Sequence, residues 1–212
     1  MVDPAVLPGF LIAVIAITAA PGPDNAYIAA VAVSHGARAG LLSALGMAIG
    51  MAVHVCAAAV GLAILLRSAP AALDVIRVAG AAYLGNLAVI TLHSALRRPT
   101  SIHRAVLPDT PLLLRRAALT NLTNPKVILF FAAFLPQFVR PGYGPTAGQL
   151  ATLGLLFLVV GWIIDSVVGL VAGRLGDRLG ARTRAARSAG IVAGITFGVL
   201  AGLLLLDVLR GA

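Results

Sequence analysis

Glutamate is missing from this chain of 212 residues; seven aspartates supply all of its acidic side chains, and Cys56 is its one cysteine. One cysteine excludes a disulfide framework, a CxxC redox pair and a thiolate metal cluster within the chain. No HExxH, no phosphate-cradling Walker loop and no Ser/His/Asp spacing beyond chance occurs, so no enzyme is expected and no cofactor. Without a nucleotide site, ATP-driven work within the chain is excluded. Any uphill movement must draw on an ion gradient or on the substrate's own. Charge is scarce as well. Charged residues make up 11%, less than half of the roughly one quarter usual in a soluble domain.

What fills the chain instead is apolar: 60% of residues are hydrophobic and the mean hydropathy is +1.01. These residues fall in blocks of 19 or more, each long enough to cross a hydrocarbon core of about 30 Å. The chain therefore reads as an integral membrane protein with the lipid bilayer as its solvent. The first block has only Asp3 charged before it and lacks the basic flank of a signal peptide, so it is expected to be retained. The net charge of +9 comes from arginines gathered in loops. In a membrane protein that pattern reports orientation, and no nucleic-acid partner is expected.

Six spans are expected, at about 5–33 (broken), 41–66, 75–96, 117–139, 149–173 and 189–208. The odd-numbered connections carry eleven arginines, among them Arg38, Arg97, Arg104, Arg178 and Arg187; the even ones and the C-terminal end carry four, Arg67, Arg77, Arg140 and Arg210. That asymmetry puts the arginine-rich loops in the cytoplasm and both termini outside. A re-entrant first segment would change the parity. The expected fold is a single all-α membrane domain, 1–212, with six transmembrane helices.

The two halves echo one another. "TAAPGPD" (18–24) aligns with "TNLTNPK" (120–126), so that Thr18 falls on Thr120, Pro23 on Pro125 and Asp24 on Lys126. In each half a proline interrupts the opening helix of a three-segment unit and an ionisable residue follows. Three segments per unit make the copies inverted: repeat 1 about 1–96, a cytoplasmic linker about 97–116, and repeat 2 about 117–212. Inverted repeats with broken helices are the plan of many secondary transporters, whose substrate lies where the breaks meet at the midplane. The breaks at Pro21, Gly22, Pro23 and Pro125 are expensive. A proline inside a helix costs about 3 kcal/mol, and a charged residue at the bilayer centre about 2.5–3.5 kcal/mol on insertion scales. Freed backbone groups are tolerated in lipid only where protein or a water-filled cavity satisfies them. The plainer readings are that Asp24 caps the helix after Pro23, that Lys126 snorkels to an interface, or that the two are bridged as a lock.

Other polar residues support the duplicated plan. His54 shares a helical face with Gly46 and Gly50, and Asp165 with Gly161, Gly169 and Gly173. Small residues at intervals of four mark close helix approach, so both should point into the bundle from the second segment of each half. Asp165 is the next candidate after Asp24 for a proton- or substrate-linked carboxylate. For His54 a buried imidazole bonded to a carbonyl is an equal reading. Asn25, Asn121 and Asn124 flank the breaks and can bond freed backbone or a ligand. Phe130, Phe131 and Phe134 are expected to face lipid or core, and Gln137 a pore mouth. The stripe Gly190, Gly194, Gly198 and Gly202 is a packing surface, within the bundle or in a homodimer.

"PGPDNAYIAAVAVSHGARAGLLSALGMAIG" followed by "GAAYL" and "LTNLTNPKVILFFAAFLPQFV" resembles the LysE/RhtB family of bacterial amino-acid exporters over nearly the whole chain. The PGPDN break is more similar to the threonine/homoserine-type branch than to the lysine-type branch. The resemblance implies a six-helix carrier of the bacterial inner membrane that exports amino acids or their derivatives, driven by protons. It draws attention to Pro21, Gly22, Pro23, Asp24, Asn124, Pro125 and Lys126. The leading reading is export of a small zwitterion, with its ammonium near Asp24 or Asp165 and its carboxylate near a half-helix N-terminus. The alternatives are a cation or heavy-metal exporter on the same fold, for which one cysteine and four histidines are a poor donor set, and a non-transporting membrane scaffold. A thiol-electron conduit would need two cysteines.

Overall fold

The computed structural model describes residues 2–62, 70–96, 109–175 and ten positions between 191 and 209. Every regular element among the described residues is helical, and no strand occurs there. The chain enters on a short turn, Pro4–Val6, whose first amide groups are capped by the Asp3 carboxylate accepting from Ala5 N at 2.9 Å. It continues as α1 (Leu7–Ala19), α2 (Pro23–His35) and α3 (Ala37–Ala57), the last extended by a widened turn, Ala58–Leu62. Then follow α4 (Pro70–Leu96), α5 (Thr110–Leu122), α6 (Pro125–Leu129) and α7 (Thr146–Leu175). The described positions between 191 and 209 are helical too.

Two stretches are long and apolar enough to cross a bilayer as unbroken helices: Ala37–Gly61 with 25 residues and Thr146–Arg174 with 29. Two others are broken. Pro4–Ala19 meets Pro23–His35 at 52°, and Thr110–Leu122 meets Pro125–Phe138 at 48°. Both bends have the same local cause. Ala20 and Gly22 are extended, Pro21 between them has no amide to donate, and Pro23 restarts the helix at its first position, where a missing N–H costs nothing. At the second break Asn124 is extended, Pro125 restarts the helix, and the Asn124 side chain accepts from Lys126 N at 3.0 Å. Asp24 and Lys126 thus hold equivalent places, one residue after a restarting proline.

The fourth span starts at Thr110 instead of 117, so Arg115 and Arg116 are helical. Hydropathy stops at the arginines, but the backbone ladder does not need apolar side chains and arginine is a good helix former. Beyond Leu129 the chain widens through Phe130–Phe134 and tightens through Leu135–Phe138. Pro136, which cannot donate to the ladder, lies in that region. Phe130, Phe131 and Phe134 are buried, not facing lipid, and Phe130 stacks on Phe157 of α7 at 4.5 Å between ring centroids. Gln137 donates to Ala133 O within its own turn.

The bundle is built around α3, which packs mainly on α7 and α5, while α2 packs on α7 and α3. Glycines make these approaches close. A Cβ at Gly46 would stand 2.6 Å from the Ala117 Cβ and 2.7 Å from the Leu114 carbonyl, and one at Gly50 would stand 2.8 Å from the Ala118 carbonyl. Gly198 sits at contact distance from Ala88, and Gly202 faces open space; Gly190 and Gly194 lie outside the described residues, as do 97–108 of the expected linker and most of 174–188.

One buried amide organises the turn before α7. Gln149 is 1% exposed. Its Nε2 donates to Arg140 O and Gly144 O, and its Oε1 accepts from Arg140 N. Gln149→Leu removes three part-buried hydrogen bonds and is expected to lower Tm by roughly 2–10 °C, from about 1–3 kcal/mol in all. Thermal denaturation in nanodiscs reads this directly.

Candidate functional site

The two breaks meet in the interior. One small cavity is lined on its polar side by Thr18, Asp24, Asn25, Lys126 and Asp165 and on its apolar side by Ile17, Met51, Val127 and Phe157. Its open space is about 10 Å³, room for about one water. Asp24 is 4% exposed, Lys126 3% and Asp165 3%. Three buried ionisable side chains from α2, α6 and α7 are therefore collected around one small volume.

The carbonyl end of α1 is satisfied from across the break. The Asn25 amide donates to Thr18 O and Ala20 O, each at 3.1 Å, and Lys126 Nζ donates to Ala20 O at 3.1 Å. Lys126 does not snorkel: burial this deep would be untenable for an ammonium without such acceptors. Asp24 stands in the first turn of α2, where a carboxylate favours the helix start, but its hydrogen bond goes elsewhere. Its Oδ2 accepts from Asn121 Nδ2 at 2.9 Å. Asn124, which caps α6, lies beside the same carboxylate. Lys126 directs its ammonium to the Ala20 carbonyl, so the two charges share the cavity without forming a lock.

Several buried atoms around this site have no partner: Asp24 Oδ1, Asn25 Oδ1, Asp165 Oδ2, Asn121 Oδ1, His54 Nε2 and the donor Asn124 Nδ2. In a folded protein nearly all such atoms are paired, so their concentration here marks a place that something polar completes. Asp24, Asn25 and Asp165 offer acceptors to the cavity and Lys126 offers a donor, while Asn124 turns to Asp24. Among the described residues no group of three or more His, Cys, Asp or Glu side chains comes together in a metal-holding arrangement.

Of the sequence candidates, Asp24, Asn25, Lys126 and Asp165 line the cavity, Asn121 and Asn124 brace Asp24, and His54 stands behind, stacked on Phe131 at 5.6 Å between centroids. The apolar wall was missed. Phe157 lies eight residues before Asp165 and Met51 three before His54, the spacings of a shared helical face, so a face-by-face reading of α7 and α3 would have found both. Thr18 was legible in the echo between the halves.

The sequence pattern of the LysE type translocator family matches residues 15–208. An uncharacterised membrane protein of Pseudomonas aeruginosa is 36% identical over 165 residues, covering 76% of this chain and 73% of that one. A leucine efflux protein of Enterobacter sp. strain 638 is 35% identical over 119 residues, 56% of each chain. Another of Klebsiella pneumoniae is 33% identical over 130 residues, 61% of each. The match to the two efflux proteins thus spans less than two thirds of their length. No solved structure matches the chain. On the family pattern, with helices suited to crossing a bilayer and two broken ones meeting at buried charges, the chain belongs to the LysE type translocator family, as a membrane transporter and not an enzyme.

Proposed function

We propose that this protein exports amino acids with apolar side chains across the bacterial inner membrane, in exchange for protons. The observation that carries this reading is the division of the cavity. Unpartnered acceptors on Asp24, Asn25 and Asp165 suit an α-ammonium, the Lys126 ammonium suits an α-carboxylate, and Ile17, Met51, Val127 and Phe157 suit an apolar side chain. The leucine efflux relatives support the same substrate class. With room for about one water, the cavity suits a closed, empty carrier that must open to load, as alternating access requires.

Proton exchange follows from the charge inventory. Two carboxylates face one ammonium in the cavity, so one negative charge is uncompensated when the site is empty, and a proton on either aspartate removes it. The wider plan in this reading is six crossings in two inverted units, both termini outside. Pairing of two copies would use the side of the last helix on which Gly202 faces open space.

A comparative efflux screen tests the function. Cells with and without the protein are loaded with dipeptides and the release of each amino acid is followed. Leucine and amino acids of similar apolar side chain should leave several-fold faster from cells that carry the protein. Equal release of all twenty from both cell types would sink the proposal.

A further inference from the structure

Lys126 is the chain's single lysine, and its surroundings are unusual for a structural ion. Its ammonium has three N–H groups, and among the described residues it bonds Ala20 O at 3.1 Å. Nearby, the Asp24, Asp165 and Asn25 oxygens aimed at the same cavity go unpartnered. Thr18 O and Ala20 O mark the carbonyl end of α1, the negative end of a half-helix. Half-helix carbonyl ends of this kind bind the coupling cation in broken-helix transporters. Here the protein's own ammonium occupies that end. The fit is close, since a Cβ on Gly22 would lie 3.1 Å from Lys126 Nζ and 3.4 Å from its Cε.

We propose that the carbonyl end of α1 is a primary-ammonium site, held by Lys126 while the carrier is empty and taken over by the substrate's α-ammonium on loading. The exchange half of this inference rests on the export reading. The tether prevents Lys126 from reaching all the acceptors around it. A free ammonium has no tether and can bond Ala20 O together with Asp24 and Asp165. Displaced from Ala20 O, Lys126 stays in the cavity and turns to the substrate carboxylate, so each molecule loaded exchanges one ammonium for another at α1 and brings no second cation. A small monovalent metal ion is the rival occupant of the same oxygens.

Two measurements test this. Lys126→Ala deletes Cγ, Cδ, Cε and Nζ, which together have the composition of propylammonium. Full-length Lys126→Ala in nanodiscs should therefore gain about 2–4 °C in Tm from saturating propylammonium chloride. Tetramethylammonium, which has no N–H, and sodium at equal ionic strength should give no gain, nor should propylammonium stabilise Lys126→Met, where an apolar chain fills the hole. A sodium gain equal to that of propylammonium, or no gain at all, overturns the site.

The second measurement uses the unaltered protein, so it stands even if the alanine variant fails to fold. Selective ¹³C-lysine labelling reports Lys126 alone. Its Cε signal should move on addition of leucine and stay in place with N-acetyl-leucine, which keeps the carboxylate and lacks the ammonium. A signal that moves equally with both, or with neither, overturns the exchange. A propylammonium gain without amino-acid release in the efflux screen would keep the ammonium site and sink the export reading instead.

Discussion

Asparagine in place of Asp24 is expected to reduce leucine efflux by about 10- to 100-fold while leaving the protein folded and at least as thermally stable. Efflux falls because hydrogen bonds to charged groups contribute about 1.5–3 kcal/mol each and a neutral amide gives up that charge-assisted bond to an ammonium. Stability does not fall with it. Asp24 is 4% exposed with Oδ1 unpartnered, so the empty protein bears the penalty of burying an ion that nothing fully compensates. Asparagine is the same shape and keeps an oxygen for the Asn121 amide, which donates at 2.9 Å. Opposite signs in flux and stability are what a binding carboxylate gives. A carboxylate retained only to pin α2 to α5 gives loss in both, and a scaffold gives no change in flux. Reconstituted efflux and a melting curve on one preparation separate the three; normal flux from Asp24→Asn would remove Asp24 from the site.

The parts of this site that could be read from sequence are those a bilayer makes expensive. Asp24, Lys126 and Asp165 stood out because each is an ionisable residue in an apolar block, and a charge in lipid must have a reason. The helix breaks were legible from Pro21, Pro23 and Pro125 for the same kind of reason. Backbone atoms carry no such signal. Nothing in the letters marks the Ala20 carbonyl as the acceptor of Lys126; that pairing comes from the second break packing against the first, with Gly22 beside the Lys126 side chain. His54 shows the limit of face periodicity. Its spacing from Gly46 and Gly50 put it inside the bundle, but that face packs on α5, where His54 bonds the Asn121 backbone and stacks on Phe131, behind the cavity wall. The sequence could say that the residue was inside without saying what it was beside.

Valine at Gly169 is expected to be among the most damaging changes outside the cavity, lowering Tm by about 4–10 °C and abolishing efflux. The α3–α7 crossing is backbone against backbone. A Cβ at Gly169 would stand 2.8 Å from the Gly40 carbonyl carbon, one at Gly40 would stand 2.8 Å from Gly169 Cα, and one at Gly173 would stand 2.5 Å from Ala37 Cα and N. No side chain can rotate away to make room, so the helices themselves must part, at an overpacking cost of roughly 1–3 kcal/mol or more. The damage does not stay local. Asp165 is one turn from Gly169 on the same face of α7, so moving α7 off α3 carries its carboxylate away from Lys126 and Asp24. Gly85→Ala is the control, because a Cβ there meets nothing within 4 Å, and it should leave efflux unchanged and Tm unchanged or slightly raised. If Gly169→Val melts and transports like the unaltered protein, α3 and α7 do not cross this closely, and a cavity assembled from α2, α6 and α7 loses the contact that holds its third wall in place.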